Sequence, residues 1–76
     1  MPKFDKELDT SGLTCPMPVM KAKKLLQTLT AGEVLHLMAT DPGTKDDIPT
    51  LVNKTGDQII EIIEEGGKVH FYIKKA

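Results

Sequence analysis

Residues 16–40 read PMPVMKAKKLLQTLTAGEVLHLMAT, and two periodicities meet inside that stretch. From Pro16 to about Leu29 the apolar residues Val19, Ala22, Leu26 and Leu29 recur at i, i+3, i+7 and i+10, the spacing that lines one side of an amphipathic helix. Gly32 then supplies a stop. From Val34 to Thr40 the period changes to two, with Leu35, Leu37 and Ala39 alternating against Val34, His36 and Met38, which predicts a strand.

Working outward, Phe4, Leu8 and Thr10 alternate with Asp5, Glu7 and Asp9, suggesting a short strand with one wet face. Ser11-Gly12-Leu13-Thr14 turns the chain into the helix, with Gly12 suited to a backbone angle that other residues avoid. On the other side, Asp41-Pro42-Gly43 reads as a turn. A second helix follows, carrying Ile48, Leu51, Val52 and Thr55 on one face and ending at Gly56. Pro49 is comfortable only in a first turn, so the helix is expected to start near Asp46 or to open irregularly. Ile59–Glu64 and Val69–Ile73 are β-branched runs joined by Glu65-Gly66-Gly67-Lys68, the composition of a hairpin.

The order is therefore β-α-β-α-β-β, without repeat or linker, and residues 1–76 are expected to form one domain. A strand–helix–strand crossover normally leaves its two strands parallel in one sheet. Two helices with one apolar stripe each are buried most simply side by side on one face of a four-stranded mixed sheet. That is a two-layer α/β (α+β) sandwich, its other sheet face left to water or a partner.

Composition narrows the function. A chain of 76 residues buries roughly 60–65% of its unfolded surface, too little to wall off a deep substrate pocket. Chemistry is expected on the surface. Ten lysines, no arginine and eleven acidic residues give a net charge of −1, which argues against direct nucleic-acid binding. No run is long enough to span a membrane, and Met1–Glu7 lacks the apolar stretch of a signal peptide. The single cysteine closes no internal disulfide, so a cytoplasmic monomer is expected.

That cysteine sits in Cys15-Pro16-Met17-Pro18, where loop becomes helix. Proline is preorganised for a first helical position, which makes Cys15 the expected N-cap and places Pro18 third, where an N–H has no helical partner. Met17 N–H is then the one nearby donor for the sulfur, and the helix dipole is expected to hold the thiol below its free value of about 8.5. Thiolate and persulfide anion would both gain. The competing reading is an inert, buried cysteine.

Met17, Met20, Lys21 and Lys24 point away from the apolar stripe. Met20, Lys21 and Lys24 could dock partners, although exposed lysines commonly do no more than solvate a helix. Asp41, expected at the same sheet edge as Cys15, could relay a proton or simply shape its turn. His36 and His70 are isolated in separate strands, and one cysteine with two scattered histidines offers no zinc site. No cofactor is expected beyond a persulfide carried on Cys15.

The stretch Leu8-Asp9-x-x-Gly12-Leu13-x-Cys15-Pro16-x-Pro18-Val19-Met20-Lys21-Ala22-Lys23-Lys24 closely resembles the N-terminal motif of the TusA family of sulfur carriers, also called SirA-like. The resemblance continues through Gly32-Glu33, Thr40-Asp41-Pro42, Asp47-Ile48-Pro49, Gly56 and Glu65-Gly66-Gly67, nearly the whole chain. It implies a two-layer α/β fold in which Cys15 matches the sulfur-bearing cysteine. In that family the cysteine receives persulfide sulfur from a cysteine desulfurase or a rhodanese-like protein and relays it to DsrE-like acceptors. The sulfur goes to tRNA wobble-uridine thiolation, molybdenum cofactor assembly or dissimilatory sulfur oxidation. The family also contains regulatory and thiosulfate-linked branches.

Three functions compete at this point. One is a stoichiometric sulfur carrier, a sulfurtransferase-type relay without independent turnover. Another is a regulatory or protein-interaction module whose open sheet face, with Met38, His70 and Tyr72, binds a partner while the cysteine is incidental. The last is a thiosulfate sulfurtransferase, which would need backbone donors and cations around a sulfur anion.

Overall fold

Leu35, Leu37 and Ala39 are completely buried, and the strand that carries them, β2 (Val34–Ala39), lies inside the sheet. The structure, a computed structural model, describes residues 3–76; the reading of Met1 and Pro2 lies outside the described residues. Around β2 are β1 (Lys6–Thr10), α1 (Met17–Leu26), α2 (Thr44–Thr55), β3 (Gln58–Glu65) and β4 (Lys68–Lys74). The element order is the expected one. Among the described residues no helix is long and apolar enough to cross a membrane.

The four strands line up as β1-β2-β4-β3. β1 runs parallel to β2 with Leu8 opposite Leu37, and β4 runs antiparallel to both β2 and β3. Because β1 and β2 are parallel, the loops leaving them emerge at one edge of the sheet. That edge holds the cysteine. Both helices lie on one face, where Ala22 and Leu26 of α1 and Ile48, Leu51 and Val52 of α2 join Leu35, Leu37, Ala39, Val69, Phe71 and Ile73 in one apolar core. Gly66 and Gly67, both at positive φ (58° and 79°), turn β3 into β4, the conformation a two-residue hairpin requires.

Several boundaries differ from expectation. α1 ends at Leu26, not Leu29, because Thr28 N–H and Leu29 N–H donate three residues back to Leu25 and Leu26 in a tightened turn. Leu29 nevertheless stays in the core. α2 begins at Thr44, ahead of Asp46, with Pro49 inside it. Its opening uses short bonds, from Thr44 to Asp41, Lys45 to Pro42 and Asp46 to Gly43, so the helix is under way before Pro49 removes one donor. Thr55 is exposed and hydrogen-bonds Asp57. In β3 a bulge between Ile59 and Glu61 breaks the alternation and leaves Ile60 exposed.

The sheet face away from the helices, expected to be left to water or a partner, is covered in part by the chain's own residues. Tyr72 and His36 are buried there, their rings nearly parallel with centroids 4.6 Å apart. Phe4 lies before β1 and leaves the strand alternation: the chain bends at Asp5, and the Phe4 ring covers His36 at 4.9 Å. Nor are the histidines isolated. Antiparallel pairing of β2 with β4 brings His36 Nε2 within 2.8 Å of His70 Nδ1, while Glu7 of β1 approaches His36 Nδ1 at 3.3 Å.

Candidate functional site

Cys15 belongs to the loop between β1 and α1, and the neighbouring crossover fixes its position. Gly12 N–H donates to Thr40 Oγ1 at 2.8 Å, tying the start of the loop to the end of β2. Cys15 N–H donates to Asp41 Oδ2 at 2.7 Å, while the other Asp41 oxygen accepts from Gly43 N–H at 3.1 Å. Asp41 thus shapes its own turn, as expected of an aspartate before proline, and also anchors the cysteine backbone. Its hydrogen bonds go to the main chain, not to the sulfur.

The helix start lies one residue later than expected. Pro16 occupies the cap position and Pro18 the second helical position, where its ring is fully buried. Met17 N–H donates to Thr14 O at 2.9 Å, so it does not serve the sulfur. Cys15 stands outside the helix, joined to Pro16 by a cis peptide bond. With Pro16 at the cap, Cys15 lacks the cap geometry through which a helix dipole would favour the thiolate.

What faces the sulfur is a carboxylate. Cys15 Sγ–H donates to Asp47 Oδ2 at 3.3 Å, from the first turn of α2. That hydrogen bond pushes the Cys15 thiol above its ordinary pKa, helped by desolvation and by the negative charges of Asp47 and Asp41. The expected shift is thereby reversed in sign. The thiol is exposed, however, which removes the inert, buried reading.

An open groove of about 430 Å³ runs from Cys15 between the helices. Val19, Met20 and Leu51 supply apolar lining, and Lys23 and Lys54 carry the charge beside Asp47. The expectation of a pocketless surface is thus modified to a groove that one side of each helix shapes. Met17 and Met20 are exposed, at 40% and 57%, in keeping with the wheel. The proposed docking set divides: Met20 lines the cysteine groove, whereas Lys21 and Lys24 line a separate depression with Leu8 and Leu25. Helical spacing explains the division, because positions 16, 19, 20 and 23 share the side facing α2 and 21, 24, 25 and 28 share another.

Sequence reasoning placed Lys23 and Asp47 in the stretches that carry the family resemblance but gave them no role, and it did not single out Lys54. A usable signal existed for Asp47. Parallel β1 and β2 release their loops at one edge, so acids opening the helix after β2 fall near the residue before the helix after β1. Among the described residues no cluster of three or more histidine, cysteine or acidic side chains is placed to hold a metal ion.

A family model described as "Sulfurtransferase TusA" matches residues 6–75. The chain belongs to the TusA family. It is 51% identical, over the full length of both chains, to the sulfur carrier protein TusA of Allochromatium vinosum. It is 40% identical over 73 residues to the putative sulfur carrier protein YrkI of Bacillus subtilis, covering 96% of this chain and 97% of that one. The crystal structure of the SirA-like protein from Desulfitobacterium hafniense superposes with a TM-score of 0.81 at 25% identity, covering 92% of this chain and 96% of that one. The two-layer architecture is therefore that of a TusA-family protein, with Cys15 and its groove at the edge where both crossovers begin.

Proposed function

We propose that this chain carries sulfur, accepting a persulfide sulfur atom on Cys15 from one protein and passing it to another. The donor is a cysteine desulfurase or a rhodanese-like protein and the acceptor a DsrE-like protein, in tRNA wobble-uridine thiolation or sulfur oxidation. The observation that carries the reading is an exposed thiol, the chain's only one, pinned by its own N–H to Asp41 at the mouth of a groove. Membership of a family whose relatives are named sulfur carriers supports it further.

Pro16 and Pro18 set the direction in which the chain leaves the cysteine, and Pro18 locks the helix start into the core. Met17 and Met20 offer polarisable apolar contacts beside the sulfur. Lys23 and Lys54 add charge further along the groove, where a partner loop would lie.

Loading is a thiol exchange: Cys15–SH and R–S–SH give Cys15–S–SH and R–SH. The Cys15 sulfur attacks the terminal sulfur, the donor S–S bond breaks, and the proton that leaves Cys15 ends on the departing thiolate. No external oxidant or reductant is needed. Intact mass after incubation with a cysteine desulfurase and cysteine tests the reading. Gain of one sulfur atom by the wild type, absent in Cys15→Ala, is the expected result, and a wild-type protein that takes up none defeats it.

A further inference from the structure

Asp47 faces the sulfur from a different element than the one carrying it, and among the described residues no cation pairs with it. Its Oδ2 lies 3.3 Å from Cys15 Sγ. Among the described residues no lysine forms an ion pair with it, although Lys23 of α1 and Lys54 of α2 line the same groove. Asp41, from the loop before α2, adds a second negative charge but commits both oxygens to the N–H groups of Cys15 and Gly43. The sulfur therefore sits at the acidic end of a groove that also holds two lysines.

A carboxylate in contact with a thiol opposes its ionisation, and the thiolate is the attacking species. For a free-standing nucleophile this arrangement is a handicap. For a carrier that must not exchange its cargo with every small thiol and disulfide it meets, the same contact confers selectivity.

We propose that Asp47 makes the reactivity of Cys15 conditional on a partner: its carboxylate holds the thiol proton in the free carrier, and a partner that sets a cationic side chain against that carboxylate frees the sulfur. The inference rests on the sulfur-carrier reading and deepens it by naming the partner's chemistry, a lysine or arginine beside its own reactive sulfur. With the cation paired to Asp47 the thiolate forms at less cost. Asp47 is not consumed, and the exchange balances as written above.

The test uses the intact protein and three probes: cystamine, a dicationic disulfide; dithiodipropionate, a dianionic one; and iodoacetamide, which is uncharged. In Asp47→Asn the ratio of cystamine to dithiodipropionate rates at Cys15 falls several-fold. Its iodoacetamide rate at neutral pH rises several-fold, because the midpoint of the pH profile moves down. Asp47→Glu keeps most of the wild-type charge preference. An Asp47→Asn protein with unchanged ratio and midpoint overturns the inference, and Asp47→Ser, with folding checked by circular dichroism, guards against a flaw peculiar to one variant. Sulfur uptake from a desulfurase is read separately by mass. If the wild type takes up none, the carrier reading and the partner half of the inference fall together, while the probe rates still decide what Asp47 does to the thiol.

Discussion

His36 and Cys15 each lie against a carboxylate, and the two regions around them use that contact in opposite ways. On the sheet face away from the helices the His36 side chain is only 7% exposed, with Glu7 on one ring nitrogen and His70 on the other. Phe4 and Tyr72 enclose the ring. A buried polar group with every hydrogen-bonding position filled fixes shape and leaves nothing free to react. At the helix edge, Cys15 is exposed and its sulfur makes one contact, to Asp47, while the loop beneath it is tied down through main-chain groups. There the backbone is fixed and the sulfur itself faces an open groove. The contrast disfavours the open sheet face as the working surface.

Truncating the sheet-face cluster should produce the largest effect and sharpen the contrast. Tyr72→Ala removes a fully buried aromatic ring and is expected to cost about 3–5 kcal/mol in urea denaturation. The alkylation rate of Cys15 in the folded fraction should not move; a parallel change there would break the separation of the two regions. Asp41→Ala is expected to cost less, about 1 kcal/mol for two hydrogen bonds to a partly exposed carboxylate. Unlike the tyrosine change, it should lower sulfur uptake in the mass assay, because the cysteine loses its anchor. Uptake equal to the wild type would show that Asp41 serves only its own turn.

The smallest effect concerns pH. The Ser11 side chain and the Ser11 N–H hold the Asp9 carboxyl below the usual carboxylate range. The N–H, which donates to Asp9 Oδ1 at 2.9 Å, is the one with hydrogen-bond geometry; the buried Ser11 hydroxyl makes no such bond and acts only by lying near the carboxylate. A depressed folded value means that the contribution is present above the ordinary carboxylate range and is lost as pH falls through the folded value. Asp9→Asn should therefore flatten the acid limb of the stability profile slightly, without altering Cys15 alkylation. A steeper limb would contradict the assignment.

Much of this arrangement is legible in the sequence where structure follows from local spacing. The alternation of Leu35, Leu37 and Ala39 gives the buried face of β2, and the stripe through Ala22, Leu26 and Leu29 gives the side of the first helical segment that packs on it. The exposure of the cysteine can also be read from its place between a turn and two prolines. What local spacing does not carry is contact between distant segments. Cys15 and Asp47 are 32 positions apart, and His36 and His70 are 34 apart. Their meeting depends on strand order and register, which no single segment encodes. The sign of the Cys15 shift followed the same pattern: a helix start legible in the local sequence suggested an acidic thiol, and an aspartate from the other crossover reversed it.

Because Cys15 takes its main-chain tether from Asp41 and not from the helix that follows it, its backbone is moored to the loop that leads into α2. Loosening the first turn of α1 would leave that tether in place, because neither of its partners belongs to the helix.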